Sequence, residues 1–414
     1  MPHPWRHRRN LREGICDRYN RRIVGVLIAD PTLRKFTRPT WAEVSLSALR
    51  NNFRAVQAFV GTGVEVCAVV KADAYGHGAE RCAVALESEG AKWFGVTTTD
   101  EGVPLREVGL RGRILLMTGF WRGEEEEVVR QGLTAAVWEP WHIEALSAAA
   151  AGLGAPPQAV HLKVDTGMGR LGVTMENLPE MCEAIRRSPE VALEALFTHF
   201  ASSEVLDAPG VQEQMRRFDE ALLIVVAHGL SPVLCHMDNT GGILAQPNSW
   251  KNMVRPGLAL YGYTLPLVRG GKPSLDAPPL QVEPVLSWRT RIVSLKQLPA
   301  GQALGYGGTY QTKVPSRIAV LPVGYADGYN RELSNQGRVI VRGQYAPIVG
   351  KISMDLTLID VTAIPGADVG DEVVLLGASG GSTVSALELA ERCRTIPYEI
   401  LCGISKRVPR NYTS

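Results

Sequence analysis

Short apolar runs and longer amphipathic stretches alternate along the chain from residue 64 to about residue 263. Each run ends in a polar or glycine-rich turn, and the stretch after it repeats its apolar residues at helical spacing. Eight runs follow this pattern and are interpreted as strands over 64–71, 92–97, 113–118, 133–138, 159–165, 192–199, 233–239 and 258–263. Strand and helix alternating in this way predict an α/β fold, a (β/α)8 TIM-type barrel.

The amphipathic stretches between the runs predict helices over 77–89, 124–131, 141–151, 175–187 and 211–228. Another helix is predicted over 47–59, with Ser47 as its N-cap. The segment before it, 40–45, resembles a strand that could pair with the barrel or with whatever follows it.

The alternation stops at 267–284, which is rich in proline and glycine and predicts a linker. Beyond it, β-type runs separated by turn residues lie at 285–298, 317–323, 338–341, 345–349, 357–361 and 372–376. One helix, over 384–394, accompanies them. The pattern therefore predicts a barrel over 39–275 and a mostly β C-terminal domain over 285–414.

Composition narrows the function classes without changing this fold. Lys and Arg number 44 against 42 Asp and Glu, so no global basic field is available for nucleic acid or anionic lipid. No apolar run approaches the roughly 20 residues that span a bilayer. The seven cysteines are odd in number and form no C-x-x-C pair, which favours buried thiols in a reducing, cytoplasmic setting, with no metal.

The first 38 residues are the exception, with ten Lys and Arg against three Asp and Glu. We interpret 1–38 as a basic, poorly ordered extension. The alternative, an export signal, has an apolar run over 23–29 that is short and ends in Asp30-Pro31 without a cleavage site.

The first candidate for chemistry is Lys71, which ends the first apolar run and precedes a glycine-bounded loop. The carboxyl ends of barrel strands carry catalytic loops. A lysine there is partly desolvated, which favours the free amine that can attack a carbonyl. The alternative for such a residue is a strand-end lysine that reaches into solvent.

Other strand ends carry polar residues as well. Lys163 and Arg170 bracket the turn after the fifth strand, His199 ends the sixth, Asn239-Thr240 ends the seventh, and Arg255 enters the eighth. Packing alone does not readily place so many polar residues at one end of a ring. One shared pocket is the simpler interpretation.

At this point the sequence resembles the alanine racemases, a family of pyridoxal-phosphate enzymes. The resemblance runs in order from about residue 39 to residue 410. It rests on VVKADAYGHG at 69–78, KVDTGMGRLG at 163–172, RPGLALYG at 255–262, GYGGTY at 305–310, GYADG at 324–328, SMD at 353–355 and ISKRVPR at 404–410. The extension before Pro39 has no counterpart.

The resemblance implies an isomerase that interconverts L-alanine and D-alanine and supplies D-alanine for peptidoglycan. Lys71 would hold the cofactor and act as one acid/base, and Tyr306 would act on the opposite face. Two bases make physical sense, because the α-proton must leave one face of a planar centre and return on the other.

The resemblance also assigns binding roles. Arg255 would donate to the pyridine nitrogen and keep it unprotonated, since arginine stays charged. His199 would bind near the cofactor and, with Arg255, set the environment of Tyr306. Arg170 would contact the cofactor's phenolic oxygen and, with the backbone N–H of Met354, bind the substrate carboxylate. Lys163, carbamylated in many members of the family, would then be an anion that orients Arg170. The phosphate would be held by Tyr75, Asn239, Thr240, Gly257, Leu258 and Tyr398.

In this family Tyr306 and Met354 would act on the partner subunit's cofactor, which implies a homodimer with composite sites, while Tyr325 and Tyr398 would narrow the entrance. Two alternatives stay open: a racemase of another small amino acid such as serine, and a non-catalytic barrel of pyridoxal-phosphate homeostasis. A fold-related decarboxylase is disfavoured, because that family has an acidic residue where this chain has Arg255.

Overall fold

The computed structural model describes residues 38–274 and 280–414. The chain divides into two units, Met1–Pro39 and Thr40–Ser414, and every element described below belongs to the second. The basic extension expected over 1–38 lies outside the described residues apart from Arg38, and so does 275–279 within the predicted linker.

After strand β1 (Thr40–Ser45) and helix α1 (Leu46–Val60), eight parallel strands close into a barrel. They are β2 Glu65–Val69, β3 Trp93–Val96, β4 Arg113–Leu116, β5 Thr134–Val137, β6 Gln158–Lys163, β7 Val191–Phe197, β8 Leu234–His236 and β9 Met253–Val254. Helices cover the outside of such a barrel, so its strands are buried on both faces and read as unbroken apolar runs. The predicted (β/α)8 barrel is confirmed.

The helices that follow the barrel strands are α2 Ala79–Ser88, α3 Thr99–Glu107, α4 Glu125–Arg130, α5 Pro140–Leu153, α6 Leu178–Arg187, α7 Pro209–Ala227 and α8 Thr240–Ala245. The apolar pattern does not predict α3, because Gly102 and Pro104 weaken its helical signal. No helix within 38–274 or 280–414 is long and apolar enough to cross a membrane.

The eighth barrel strand is not where the pattern predicts it. The run over 258–263 contains a 3₁₀ helix, Leu258–Tyr261, with all four residues buried, and the strand is β9, which is two residues long. Pro256 follows β9 closely and has no N–H to extend the ladder. A buried apolar turn and a buried strand look alike in sequence, which explains the error.

The C-terminal part is mostly β, as predicted. Its strands and the hairpin before them are β10 Val268–Arg269, β11 Lys272–Pro273, β12 Leu286–Arg291, β13 Ser294–Leu298, β14 Ala303–Leu304, β15 Tyr310–Gln311, β16 Ser316–Leu321, β17 Arg338–Val341, β18 Gln344–Pro347, β19 Thr357–Asp360, β20 Glu372–Ser379, β21 Ser382–Val384 and β22 Arg410–Thr413. The helices α9 (Ala386–Cys393) and α10 (Pro397–Cys402) lie between β21 and β22.

Strand β1 belongs to the C-terminal sheet rather than to the barrel. That sheet runs in the order β18-β17-β20-β12-β1-β22, and β1 pairs antiparallel with β12 and parallel with β22. Arg289 on β12 forms ion pairs with Glu43 on β1 and Glu372 on β20. The start of the described chain is thereby tied to its end.

The N-cap of α1 is Ser45 and not Ser47. The hydroxyl of Ser45 accepts the backbone N–H of Ala48 at 3.1 Å, whereas Ser47 lies exposed inside the first turn. An N-cap hydroxyl satisfies one of the unpaired N–H groups at a helix start.

We expect Ser45→Ala to lower the free energy of unfolding by about 1 kcal/mol, the usual contribution of an N-cap hydroxyl. Ser47→Ala is the matched control and should cost clearly less, because it removes only an exposed hydroxyl contact. Thermal unfolding of both variants, followed by calorimetry, measures the difference. Equal losses in the two variants would contradict the assignment of the cap.

Candidate active site

Five nitrogen-bearing side chains meet at the carboxyl-terminal mouth of the barrel: Lys71, Lys163, Arg170, His199 and Arg255. The positive charges of Arg170 and Arg255 lower the pKa of each of the two lysines and of the histidine. Burial, followed by the positive charges of Arg255 and Arg170, lowers the pKa of Lys163 to about 7, although the nearby carboxylate of Asp165 opposes this shift. The polar residues that the sequence placed at separate strand ends therefore do share one place.

The same forces act on Lys71 and His199. Burial lowers the pKa of Lys71, and the nearby Arg170 adds to the effect. Burial and then Arg255 lower the pKa of His199 to about 2. Both groups are thus shifted toward their neutral forms, because desolvation and neighbouring positive charge disfavour another cation.

Lys71 begins a left-handed turn. Residues 72–75 all have φ between 52° and 55°, a region that costs about 1–2 kcal/mol for each residue with a Cβ. The carboxylate of Glu101 accepts the N–H of Ala72 at 2.8 Å and that of Thr97 at 2.6 Å, and so ties the turn to the end of β3. The turn sets the direction in which Lys71 leaves its strand.

The loop after β6 is shaped by the carboxylate of Asp165. This group accepts the N–H groups of Gly167, Met168 and Gly169 at 2.9 to 3.1 Å. Gly172 closes the loop with φ of +132°, and a Cβ there would lie 2.5 Å from the backbone nitrogen of Asp165. The glycines of this segment thus allow a tight loop, which presents Arg170 at the rim of the mouth.

Arg255 is almost fully buried and is held by acceptors that are all uncharged. One Nη1–H donates to Nδ1 of His236, and Nη2 contacts the carbonyl oxygens of Thr198 and Met237 at 2.8 and 2.9 Å and Nδ1 of His199 at 3.3 Å. Within the described chain its Nε–H and second Nη1–H have no hydrogen bond. They remain available to a bound group.

A second part of the mouth carries hydroxyls and backbone N–H groups. The hydroxyl of Thr240 accepts the N–H groups of Gly257 and Ala259, each at 3.2 Å. A Cβ at Gly257 would lie 2.2 Å from the hydroxyl oxygen of Tyr75. Thr240, Gly257 and Tyr75 therefore lie close together at this part of the mouth.

Three further residues from the sequence analysis frame this part of the mouth. Asn239 caps α8 by accepting the N–H of Gly242 at 3.0 Å, and the ring of Tyr398 lies 5.8 Å from that of Tyr75. Leu258 is buried at the start of the 3₁₀ helix. All the barrel residues proposed for cofactor binding thus lie around the mouth, and Tyr398 joins them from α10.

Tyr306 and Met354 are placed differently. They lie on loops of the C-terminal part and are 70% and 53% exposed. Gly305 and Gly350-Lys351 bring the two loops together, and Tyr325 donates its backbone N–H to Ser353 on the second loop. Among the described contacts, no hydrogen bond or ring contact joins Tyr306 or Met354 to the mouth of the same chain.

Sequence reasoning missed Glu101 and Asp238. Glu101 follows β3, the second strand of the barrel, at the mouth, and that position was the available signal. Asp238 is fully buried with its pKa raised by burial to about 7, and one of its oxygens accepts the hydroxyl of Ser249. In the described residues no group of three or more His, Cys, Asp or Glu is arranged to hold a metal.

Comparison with known proteins agrees with this architecture. The model of the alanine racemase N-terminal domain matches residues 44–265, and that of the alanine racemase C-terminal domain matches residues 285–412. The alanine racemase of Halothermothrix orenii is 42% identical over 380 residues, 92% of this chain and 98% of the relative. Alanine racemase 2 of Caldanaerobacter subterraneus is 40% identical over 377 residues, which cover 91% of this chain and 95% of the relative.

Solved structures are similar as well. The alanine racemase from a D-cycloserine-producing Streptomyces lavendulae superposes with a TM-score of 0.83 at 33% identity, covering 91% of this chain and 97% of the other. That of Bartonella henselae, with covalently bound pyridoxal phosphate, has a TM-score of 0.79 at 29% identity, covering 91% and 99%. Because the family models match both the barrel and the C-terminal part, and the relatives are 40% or more identical over most of the chain, this protein belongs to the alanine racemase family.

Proposed function

We propose that the protein is an alanine racemase that uses pyridoxal 5'-phosphate to interconvert L-alanine and D-alanine. The observation that carries the proposal is Lys71, a strand-end amine with a lowered pKa among cationic groups at the barrel mouth. A neutral amine is the form that attacks an aldehyde and the form that accepts a proton. The product D-alanine would serve peptidoglycan synthesis.

The residues at the mouth fit this cofactor. Lys71 would hold its aldehyde carbon, and the N–H groups that Arg255 leaves free would face its ring nitrogen. When bound, the cofactor supplies an electron sink for the electron pair left on the α-carbon of an amino acid. The phosphate would be held by Tyr75, Asn239, Thr240, Gly257, Leu258 and Tyr398.

Arg255 is suited to limit that sink. A carboxylate at this position would let the ring nitrogen become protonated, whereas a guanidinium only donates and stays charged. The buried surroundings of Arg255, with His236 and His199 as acceptors, hold its orientation. Restricted electron withdrawal favours return of the proton to the α-carbon over side reactions.

Inversion of configuration needs a proton donor and acceptor on each face of the α-carbon. Lys71 would serve one face. We assign the other to Tyr306 of the partner subunit, because Tyr306 is exposed and has no described contact with the mouth of its own chain. Met354 of the partner subunit would donate its backbone N–H to the substrate carboxylate, opposite Arg170. A homodimer with two composite sites follows.

We assign Lys163 a carbamate. Its amine is buried, its pKa is lowered to about 7, and two guanidinium groups lie near it. An uncharged amine forms an N–C bond to CO2 and releases one N–H proton to solvent, and the resulting carbamate anion would be attracted by Arg170 and Arg255. The carbamate would hold Arg170 in place for the substrate carboxylate.

Two competing functions are weaker. A non-catalytic cofactor-binding barrel gives no reason for the C-terminal part with Tyr306 and Met354. A racemase of serine or another small amino acid shares every residue assigned above, so substrate tests decide that case.

The six cysteines in the described chain are free thiols, which supports a cytoplasmic location.

We expect purified protein with pyridoxal phosphate to convert L-alanine to D-alanine, as measured by chiral chromatography. L-serine should react much more slowly. Lys71→Ala should lose both covalent cofactor attachment and activity, since it removes the strand-end amine that would attack the cofactor's aldehyde, while Lys163 would carry a carbamate. Turnover of serine alone would reject alanine as the substrate, and full activity of Lys71→Ala would reject the proposed role of that lysine.

The composite site predicts complementation. Lys71→Ala and Tyr306→Phe chains should each form poorly active homodimers, but a mixed dimer has one site free of both changes. Coexpression in equal amounts should restore about a quarter of wild-type activity, because half of the dimers are mixed and each has one intact site. Pairing Lys71→Ala with Lys71→Met is the control and should restore none. No recovery in mixed dimers isolated by two affinity tags would contradict the shared site.

The lowered pKa of Lys163 predicts that its carbamate forms in a pH-dependent way. With ¹³C-labelled bicarbonate, the wild type should show one carbamate NMR signal that Lys163→Ala lacks. The pKa of Lys163 is lowered, so its neutral amine becomes the main form as the pH rises through about 7, and the signal should grow over that interval. Exposed Lys92 gives an internal comparison, and a signal that survives in Lys163→Ala would refute the assignment.

A further inference from the structure

A chain of hydrogen-bonded polar side chains crosses the interior of the barrel. It starts at Arg255 and continues through His236 on β8 to His161 on β6, whose facing nitrogens are 3.0 Å apart. Nε2 of His161 lies 3.4 Å from the carboxylate of Glu194 on β7. Glu194 accepts two hydrogen bonds, at 2.8 and 2.6 Å, from Arg113.

This chain of hydrogen bonds connects the two ends of the barrel. Arg255 belongs to the mouth, whereas Arg113 is the first residue of β4 and therefore lies toward the opposite, amino-terminal face. Barrel interiors are usually filled with branched apolar side chains. A continuous polar path through this one, with both histidines fully buried, calls for a physical reason.

Only one arrangement of protons satisfies this chain. Arginine can only donate and an ionised carboxylate can only accept. Nδ1 of His236 must therefore accept from Arg255, which leaves its Nε2–H to donate to Nδ1 of His161. Nε2–H of His161 then donates to Glu194. Both imidazoles are neutral in this arrangement, and their tautomers are fixed from both ends.

The surroundings favour that arrangement. Burial lowers the pKa of His161 and of His236, so neither imidazole competes for a proton. The ring of Phe197 stacks on that of His236 at 4.7 Å, and Trp93 lies 5.1 Å from His161. Burial alone would raise the pKa of Glu194, but its bonds to His161 and Arg113 hold it below the usual value. The carboxyl group of Glu194, next to Arg113, is thus an anion.

Arg255 needs such support because the described ion pairs give it no carboxylate partner. The buried carboxyl of Asp238 is bonded to Ser249, and the acceptors of Arg255 are two carbonyl oxygens and two histidines. A reversed His236 would turn an N–H toward the guanidinium, which places two donors against each other. The tautomer of His236 therefore decides whether Arg255 keeps its orientation.

We propose that Glu194 and His161 are positioning residues for the racemisation, which hold His236 in the single tautomer that accepts from Arg255 and so orient the guanidinium toward the cofactor's ring nitrogen. The inference rests on the proposed function for its catalytic consequence. The tautomers themselves do not depend on that function.

The test is Glu194→Gln, which keeps the shape but allows an amide N–H to face His161 and removes the fixed direction of the chain. Glu388→Gln is the matched control, since Glu388 also pairs with an arginine through both oxygens and has a similar exposure, 17% against 16% for Glu194. Glu194→Asp retains the charge and should recover part of the effect.

The first readout is ¹⁵N NMR of histidine-labelled holoenzyme. The wild type and Glu388→Gln should show the imidazoles of His161 and His236, told apart from the other buried rings of His77 and His142 by single substitutions, as neutral and protonated at Nε2. Glu194→Gln should show a mixture of tautomers for both rings. Unchanged patterns in Glu194→Gln, or a wild type with either ring protonated at Nδ1, would overturn the proposal.

The second readout is kinetic. Glu194→Gln should lower kcat about tenfold, at the lower end of what outer hydrogen-bonding partners contribute at metal sites, with little change in KM. Glu388→Gln should leave kcat unchanged. A fall in thermal stability with kcat intact would show a structural role only and reject the proposal. If the wild type does not racemise alanine, the proposed function fails, and the NMR patterns still decide the proton arrangement.

Discussion

Positive charge concentrated at the barrel mouth is the constraint on which the rest of the site depends. Lys71, Lys163, Arg170 and Arg255 affect one another there, and two unit charges about 4 Å apart at an effective dielectric constant near 20 interact by about 4 kcal/mol. The chain reduces this repulsion by making its lysines less basic. Anions such as a phosphate, a carboxylate or a carbamate would reduce it further, so the charge of the mouth favours their binding.

Holding Lys71 at the mouth requires a strained backbone conformation in the turn that follows it. Four consecutive residues after Lys71 are left-handed, each at about 1–2 kcal/mol. The turn persists because both of its sides are bonded: Ala74 donates its N–H to Val70, and Asp73 accepts the N–H of Ala79 at the start of α2. Strain at this point directs Lys71 into the mouth rather than along its strand.

The sequence was sufficient for the barrel, the β-rich C-terminal part and most residues of the mouth, because strand alternation and strand-end polarity are local signals. Two local errors have clear causes: the true eighth strand is only two residues long, and Ser45 and Ser47 are equally good caps by type. The proton arrangement of His161 and His236 could not be predicted, since they are 75 residues apart and only the closed barrel brings them within 3.0 Å.

The positive charge of the mouth would also affect a tyrosine that acts as the base on the opposite face of the substrate. Positive charge favours the neutral form of an amine and the ionised form of a phenol, and in both cases the favoured form is the base. The field that makes Lys71 less basic toward solvent protons would therefore also activate a phenol brought against it. Under the proposed dimer, Tyr306 of the partner subunit enters that field only on assembly. Its 70% exposure in one chain leaves the side chain accessible for that contact.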